Sequence, residues 1–161
     1  MSKRHTLAVT VHNYPGVLNR VAGLFSRRGY NIESLNVGTT DNPQFSRMTI
    51  VVDGDSQIIE QVVKQLHKLV DVIKVSDITE EPAVNRDLVL FKVQADPQVR
   101  GEIMQICEIF RLRIVDFGRR SLIIEATGEK NKLDAIEDAL RPFGILEMVR
   151  TGQVSMVRGR R

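Results

Sequence analysis

The sequence predicts an α+β protein built from two consecutive βαββαβ units. Three observations carry that prediction. Apolar residues switch between alternate spacing and helical spacing in the order strand, helix, strand, strand, helix, strand, and the same order then repeats. A break at Glu80-Glu81-Pro82-Ala83 separates the two runs. The length of 161 residues, with 42% apolar and 27% charged residues, suits two small folded units.

The first unit begins with alternation at Leu7, Val9 and Val11, which reads as a strand. Val17, Leu18, Val21, Leu24 and Phe25 follow helical spacing, and the helix from Val17 to Arg28 stops at Gly29. Asn31 to Val37 is a second strand, and Gly38 to Pro43 has turn chemistry. Ser46 to Val52 is a third strand, with Met48, Ile50 and Val52 on one face. Asp53 to Ser56 turns the chain into a capped helix carrying Ile58, Ile59, Val62, Val63, Leu66 and Leu69. Val70 to Ile78 is the fourth strand.

The second unit repeats the plan. Leu88 to Ala95 alternates through Val89, Phe91 and Val93. A helix starts after Asp96-Pro97, with Asp96 as its expected cap. Leu112 to Phe117 and Ser121 to Ala126 are strands around the turn at Gly118 to Arg120. Glu129 to Leu140 is a helix, and Ile145 to Met156 reads as one long final strand. Each unit should form a four-stranded antiparallel sheet with both helices on one face, the ferredoxin-like plan. The other sheet face would be left bare, so dimerisation or domain pairing is expected. The expected division is residues 1–79, a linker at 80–85, and residues 86–161.

Several function classes lose support. The single Cys107 sits at helical spacing among Ile103, Ile106 and Phe110, so it reads as a buried small hydrophobe. His5, His12 and His67 lack metal-ligand spacing, and His5 and His12 should point to opposite faces of their strand. No phosphate-binding glycine loop, nucleophile elbow or acid/base pair is present. Aromatic content is 5%, and the strands LAVTV and SRMTIVV hold no aromatic, which argues against a base-stacking nucleic-acid platform. The 23 basic and 20 acidic residues are mixed, and the basic end Arg158 to Arg161 reads as a solvated terminus. No apolar run reaches membrane-spanning length and no signal peptide is evident, so the cytoplasm is the expected compartment.

One junction stands out. Asn13-Tyr14-Pro15-Gly16-Val17-Leu18 lies where the first strand turns into the first helix. The first N–H groups of a helix lack intrahelical partners and its dipole is positive there, so a carboxylate can dock without a dedicated cation. Gly16 permits close approach and Pro15 stiffens the turn. Asn13 can act as a helix cap or offer its amide to a ligand. Asn31 reads as a turn residue after Gly29 or as a ligand.

These residues, with Leu24 to Val52 (LFSRRGYNIESLNVGTTDNPQFSRMTIVV) and Lys64 to Val75 (KQLHKLVDVIKV), resemble the small regulatory subunits of acetohydroxyacid synthase, also called acetolactate synthase. The first half is similar to an ACT domain, an amino-acid-sensing variant of the ferredoxin-like plan. The block Arg28 to Leu35 is specific to this family, whereas Pro15-Gly16-Val17 is shared by ACT domains generally. The second half matches more loosely, through Glu108 to Asp116 and Lys132 to Gly152.

The resemblance implies a non-catalytic protein that binds the large subunit, raises its activity and makes it inhibitable by valine or another branched-chain amino acid. It places the effector between two ACT domains of a homodimer. The carboxylate would meet N–H groups at Gly16, Val17 and Leu18, with Asn13 beside them, and the second protomer would supply Asn31 and Ile32. Thiamine diphosphate, magnesium and FAD are expected on the large subunit and none on this chain. No nucleic-acid or membrane partner is expected. The alternative is an ACT module that regulates a different partner.

Overall fold

The computed structural model describes residues 3–159. The chain divides into two compact units, one formed by residues up to Val84 together with those from Gln153 onward, the other by Asn85–Gly152.

The first unit contains β1 (Lys3–His12), α1 (Val17–Arg27), β2 (Asn31–Thr39), β3 (Phe45–Gly54), α2 (Ser56–His67) and β4 (Val72–Asp77). Its strands pair antiparallel in the order β2-β3-β1-β4. Leu7, Val9, Val11, Met48, Ile50 and Val52 point to one face, where Val21, Phe25, Val62 and Leu66 of the helices cover them. Asp55 caps α2, its carboxylate accepting the Ile58 N–H at 2.9 Å. Gly29 ends α1 at φ +68°, a conformation that glycine adopts without strain. His5 faces this core and bonds Asp77 at 3.0 Å, while Thr10 and Arg47 lie on the opposite sheet face.

The second unit contains most of β5 (Ala83–Gln94), then α3 (Arg100–Phe110), β6 (Arg113–Phe117), β7 (Ser121–Gly128), α4 (Lys130–Leu140) and β8 (Ile145–Arg150), in sheet order β6-β7-β5-β8. Val89, Phe91, Val93, Leu122 and Ile124 meet Ile103, Cys107, Leu133, Ile136 and Leu140 in its core. Burial pushes the Cys107 thiol up, as expected of a buried hydrophobe. The repeat extends to irregularities: the register shifts after Ile32 in β2 and after Ile114 in β6.

Three expectations need correction. The long final strand is two: β8 stops at Arg150, Gly152 takes φ +95°, and β9 (Val154–Val157) follows. That glycine turns the chain, and residues from Gln153 pack with the first unit. The first unit's outer sheet face is therefore not bare. The Gln153 N–H donates to Ser34 Oγ (2.8 Å) and Arg47 Nη2 to the Ser155 carbonyl (2.9 Å). Thr49 and Val51, which face that way, are fully buried. The linker is shorter than 80–85, because β5 begins at Ala83, and the Arg158 N–H donates to the Pro82 carbonyl at 2.8 Å.

Candidate functional site

The β1–α1 junction is built around Gly16. Its φ of +86° lies in the left-handed region, where a side chain is strained. It caps α1 without a side chain, and no acidic residue occupies the first helical turn. The Val17 N–H reaches the Tyr14 carbonyl only at 3.4 Å. The positive end of this helix therefore faces outward with no carboxylate of its own. The Val17 side chain is buried in the core, which leaves its N–H as the group available to a ligand, and Leu18 is 44% exposed.

Asn13 is not the helix cap. Its N–H donates to the Gln44 carbonyl (2.8 Å) and its side-chain Nδ2 to the Pro43 carbonyl (3.1 Å). These bonds tie the junction to the β2–β3 hairpin, so Asn13 holds the rim and leaves its Oδ1 as an acceptor. Tyr14 stacks on His12 with ring centroids 5.2 Å apart.

A cation missed in the sequence stands beside the loop. Arg20 donates from Nε to Asp71 Oδ2 at 2.7 Å, and a Cβ at Gly16 would lie 3.2 Å from Arg20 Nη1. Asp71 is buried, and its carbonyl accepts the His12 N–H. The only available signal was spacing, since Arg20 falls one helical turn after Gly16. The partner, 51 positions away, has none.

Asn31 and Ile32 open β2, an edge strand. Asn31 is exposed and Ile32 is half-buried against the core. Register places them far from the junction. His12 lies opposite Phe45 and Asn31 opposite Asp53, eight positions further along β3. At about 3.4 Å per residue they stand roughly 27 Å apart. Within one chain, Asn13, Gly16, Val17 and Leu18 form one group and Asn31 and Ile32 another.

Among the described residues no group of three His, Cys, Asp or Glu gathers as a metal site, and no helix is long and apolar enough to cross a membrane.

A ferredoxin-like unit with an uncapped helix start at a left-handed glycine, followed by a second unit of the same plan, defines the class: a tandem ACT-type regulatory protein. The comparisons specify it further. Residues 7–74 match the family model "AHAS small subunit-like ACT domain", and residues 86–159 match "Small subunit of acetolactate synthase". The chain is 59% identical over 156 residues to a probable acetolactate synthase small subunit of Archaeoglobus fulgidus, covering 97% of this chain and 98% of that one. It is 50% identical over 159 residues to the acetolactate synthase small subunit of Mycobacterium bovis, covering 99% and 95%. The crystal structure of the small subunit from Thermotoga maritima superposes with a TM-score of 0.91 at 43% identity, covering 98% and 99%. The chain belongs to the acetolactate synthase small-subunit family.

Proposed function

We propose that this chain is a non-catalytic regulatory subunit that binds an acetolactate synthase large subunit, stimulates it, and confers inhibition by valine bound between two ACT units. The observation supporting this reading is the separation of the two residue groups along one sheet. β2 runs parallel to β1, so its end at Thr39, opposite Ser46, lies at the Gly16 end of the sheet. If two copies pair β2 with β2 antiparallel about a two-fold axis, Asn31 and Ile32 of each meet the Gly16 junction of the other. The edge position of β2 leaves it free to pair in this way. The valine carboxylate then takes the Gly16–Leu18 N–H groups, Asn31 accepts from its ammonium, and Ile32 touches its side chain. A ligand held by both protomers fixes their relative orientation, which is the differential contact that feedback inhibition requires.

In this reading thiamine diphosphate, magnesium and FAD reside on the large subunit. The test is reconstitution with the cognate large subunit and an assay of acetolactate formation with and without valine. Stimulation that valine reverses is the expected result. A large subunit indifferent to this chain overturns the reading.

A further inference from the structure

The outer face of the first unit's sheet carries a second, unrelated arrangement. β9 covers only part of that face, and beside it lies a cleft of about 500 Å³. Thr10 forms the middle of its floor. Register sets Thr10 opposite Arg47 on β3 and opposite Lys74 on β4, so the two cations flank one hydroxyl on three adjacent strands. The next row on β1 and β4 pairs Ala8 with Ser76, which places a small side chain and a second hydroxyl in the floor. Met156 and Val157 of β9 give the cleft an apolar wall.

Neither cation is neutralised. Arg47 has one described partner, the Ser155 carbonyl, and its Nε is buried with no acceptor. No carboxylate among the described residues pairs with Lys74. Two acids share the rim, Asp77 and Glu81. Asp77 is already engaged by His5 and Thr79, and Glu81 too has an interaction of its own. Burial lowers the Arg47 pKa, the mark of a guanidinium held out of water without a counter-charge.

We propose that this cleft is a second ligand site, for a small phosphate-bearing anion seated over Thr10 between Arg47 and Lys74. Strands lie about 4.8 Å apart, so the two cations approach from opposite sides across about 10 Å of backbone. A phosphate has acceptor oxygens for a guanidinium, an ammonium and two hydroxyls at once; a carboxylate has fewer. The apolar wall favours a phosphate monoester with a hydrophobic body over inorganic phosphate. This site is independent of the valine reading, since none of its residues lies in the β1–α1 junction or at Asn31.

The test is titration of the 15N-labelled full chain with inorganic phosphate, phenyl phosphate and acetate at constant ionic strength. Saturable amide shifts at Ala8, Thr10 and Ser76 are expected with both phosphates, and phenyl phosphate should bind about threefold more tightly. Arg47→Gln and Lys74→Gln should each weaken binding about tenfold, and Arg113→Gln, in the second unit, should not. Lys74→Gln and Arg47→Lys keep the test valid if Arg47→Gln fails to fold. Shifts that never saturate, acetate binding as tight as phosphate, or unchanged affinity in Lys74→Gln would overturn the proposal. Valine binding followed in the same Lys74→Gln sample should be unaffected, which separates this site from the other.

Discussion

The two helix starts that follow the two first strands of the repeats have opposite fates. In the first unit the start of α1 is a left-handed glycine with no side-chain cap, and the helix end is left open. In the second unit the residue before α3 is Val99, in ordinary helical conformation, and the first helical residue is Arg100. Its guanidinium donates to the carbonyls of Ala95, Gly118 and Arg119 at 2.7–3.2 Å and lies 4.4 Å over the Phe117 ring. The same junction thus occurs twice, once open, where the proposed effector carboxylate would dock, and once filled by its own side chain.

Gly16→Asp attacks the open junction and should have the largest effect. It puts a carboxylate where the effector carboxylate is expected, and should raise the half-inhibitory valine concentration about a hundredfold while stimulation of the large subunit persists. Gly16→Ala shares the left-handed strain and the approach to Arg20 Nη1 but adds no charge. It separates strain from electrostatics, and should cost about 1 kcal/mol of stability with a smaller loss of inhibition. Equal valine inhibition in Gly16→Asp and the parent would remove the site from this junction.

Ending the chain at Gly152 tests the other contrast between the units, a sheet face covered by β9 against one that leaves Leu90 and Val149 partly exposed. Val51 and Thr49 would be uncovered and the bonds of Gln153 and Ser155 lost. The first unit should lose about 3 kcal/mol in urea unfolding followed by its own amide signals.

Arg100→Ala attacks the closed junction. Three carbonyls lose a charged donor and Phe117 loses its cation, so the second unit should lose about 2 kcal/mol in the same measurement. The half-inhibitory valine concentration should stay within about twofold, because the open junction is elsewhere and shares no partner with Arg100.

The contrast between the junctions was only half legible in the sequence. Alternation and helical spacing located the four helices and the strands up to β8, because burial of one face leaves a periodic trace, but ran β8 and β9 together. Gly16 and Gly29 were legible because a positive φ selects glycine. Asp96 misled: its carboxylate receives Gln94 Nε2 at 3.3 Å, and its backbone carbonyl, not its side chain, accepts the Val99 and Arg100 N–H groups. Arg100 could not be read as the plug, since only Ala95 among its acceptors is near in sequence and the other two, Gly118 and Arg119, lie in the β6–β7 turn. The same holds for Arg20 with Asp71 and for Arg47 with Ser155. Such pairs depend on tertiary approach and leave no local pattern. The split of the last strand did have a signal, Thr151-Gly152, a turn dipeptide inside an apolar run.

Acid should separate the units more gently. In the first, burial alone would raise the Asp77 carboxyl, but hydrogen bonds from the Thr79 side chain and backbone, then from His5, outweigh it and hold the group below its usual value. In the second, the Lys130 hydrogen bond, aided by Arg150, does the same for Asp134 at the surface. A carboxyl whose folded pKa is depressed contributes stability that is complete above its unfolded value, near 3.9, and fades as pH falls through the folded one. Asp77→Asn should therefore cost about 1 kcal/mol at pH 7 and flatten the decline of first-unit stability below about pH 4. Asp134→Asn should cost only ~0.3 kcal/mol, because solvent screens the Lys130 pair, and half-molar salt should erase that difference. Urea midpoints at pH 7 and pH 3.5, read unit by unit, decide both. Equal acid sensitivity in Asp77→Asn and the parent would mean that the Thr79 and His5 bonds persist in the unfolded chain or add nothing to the folded one.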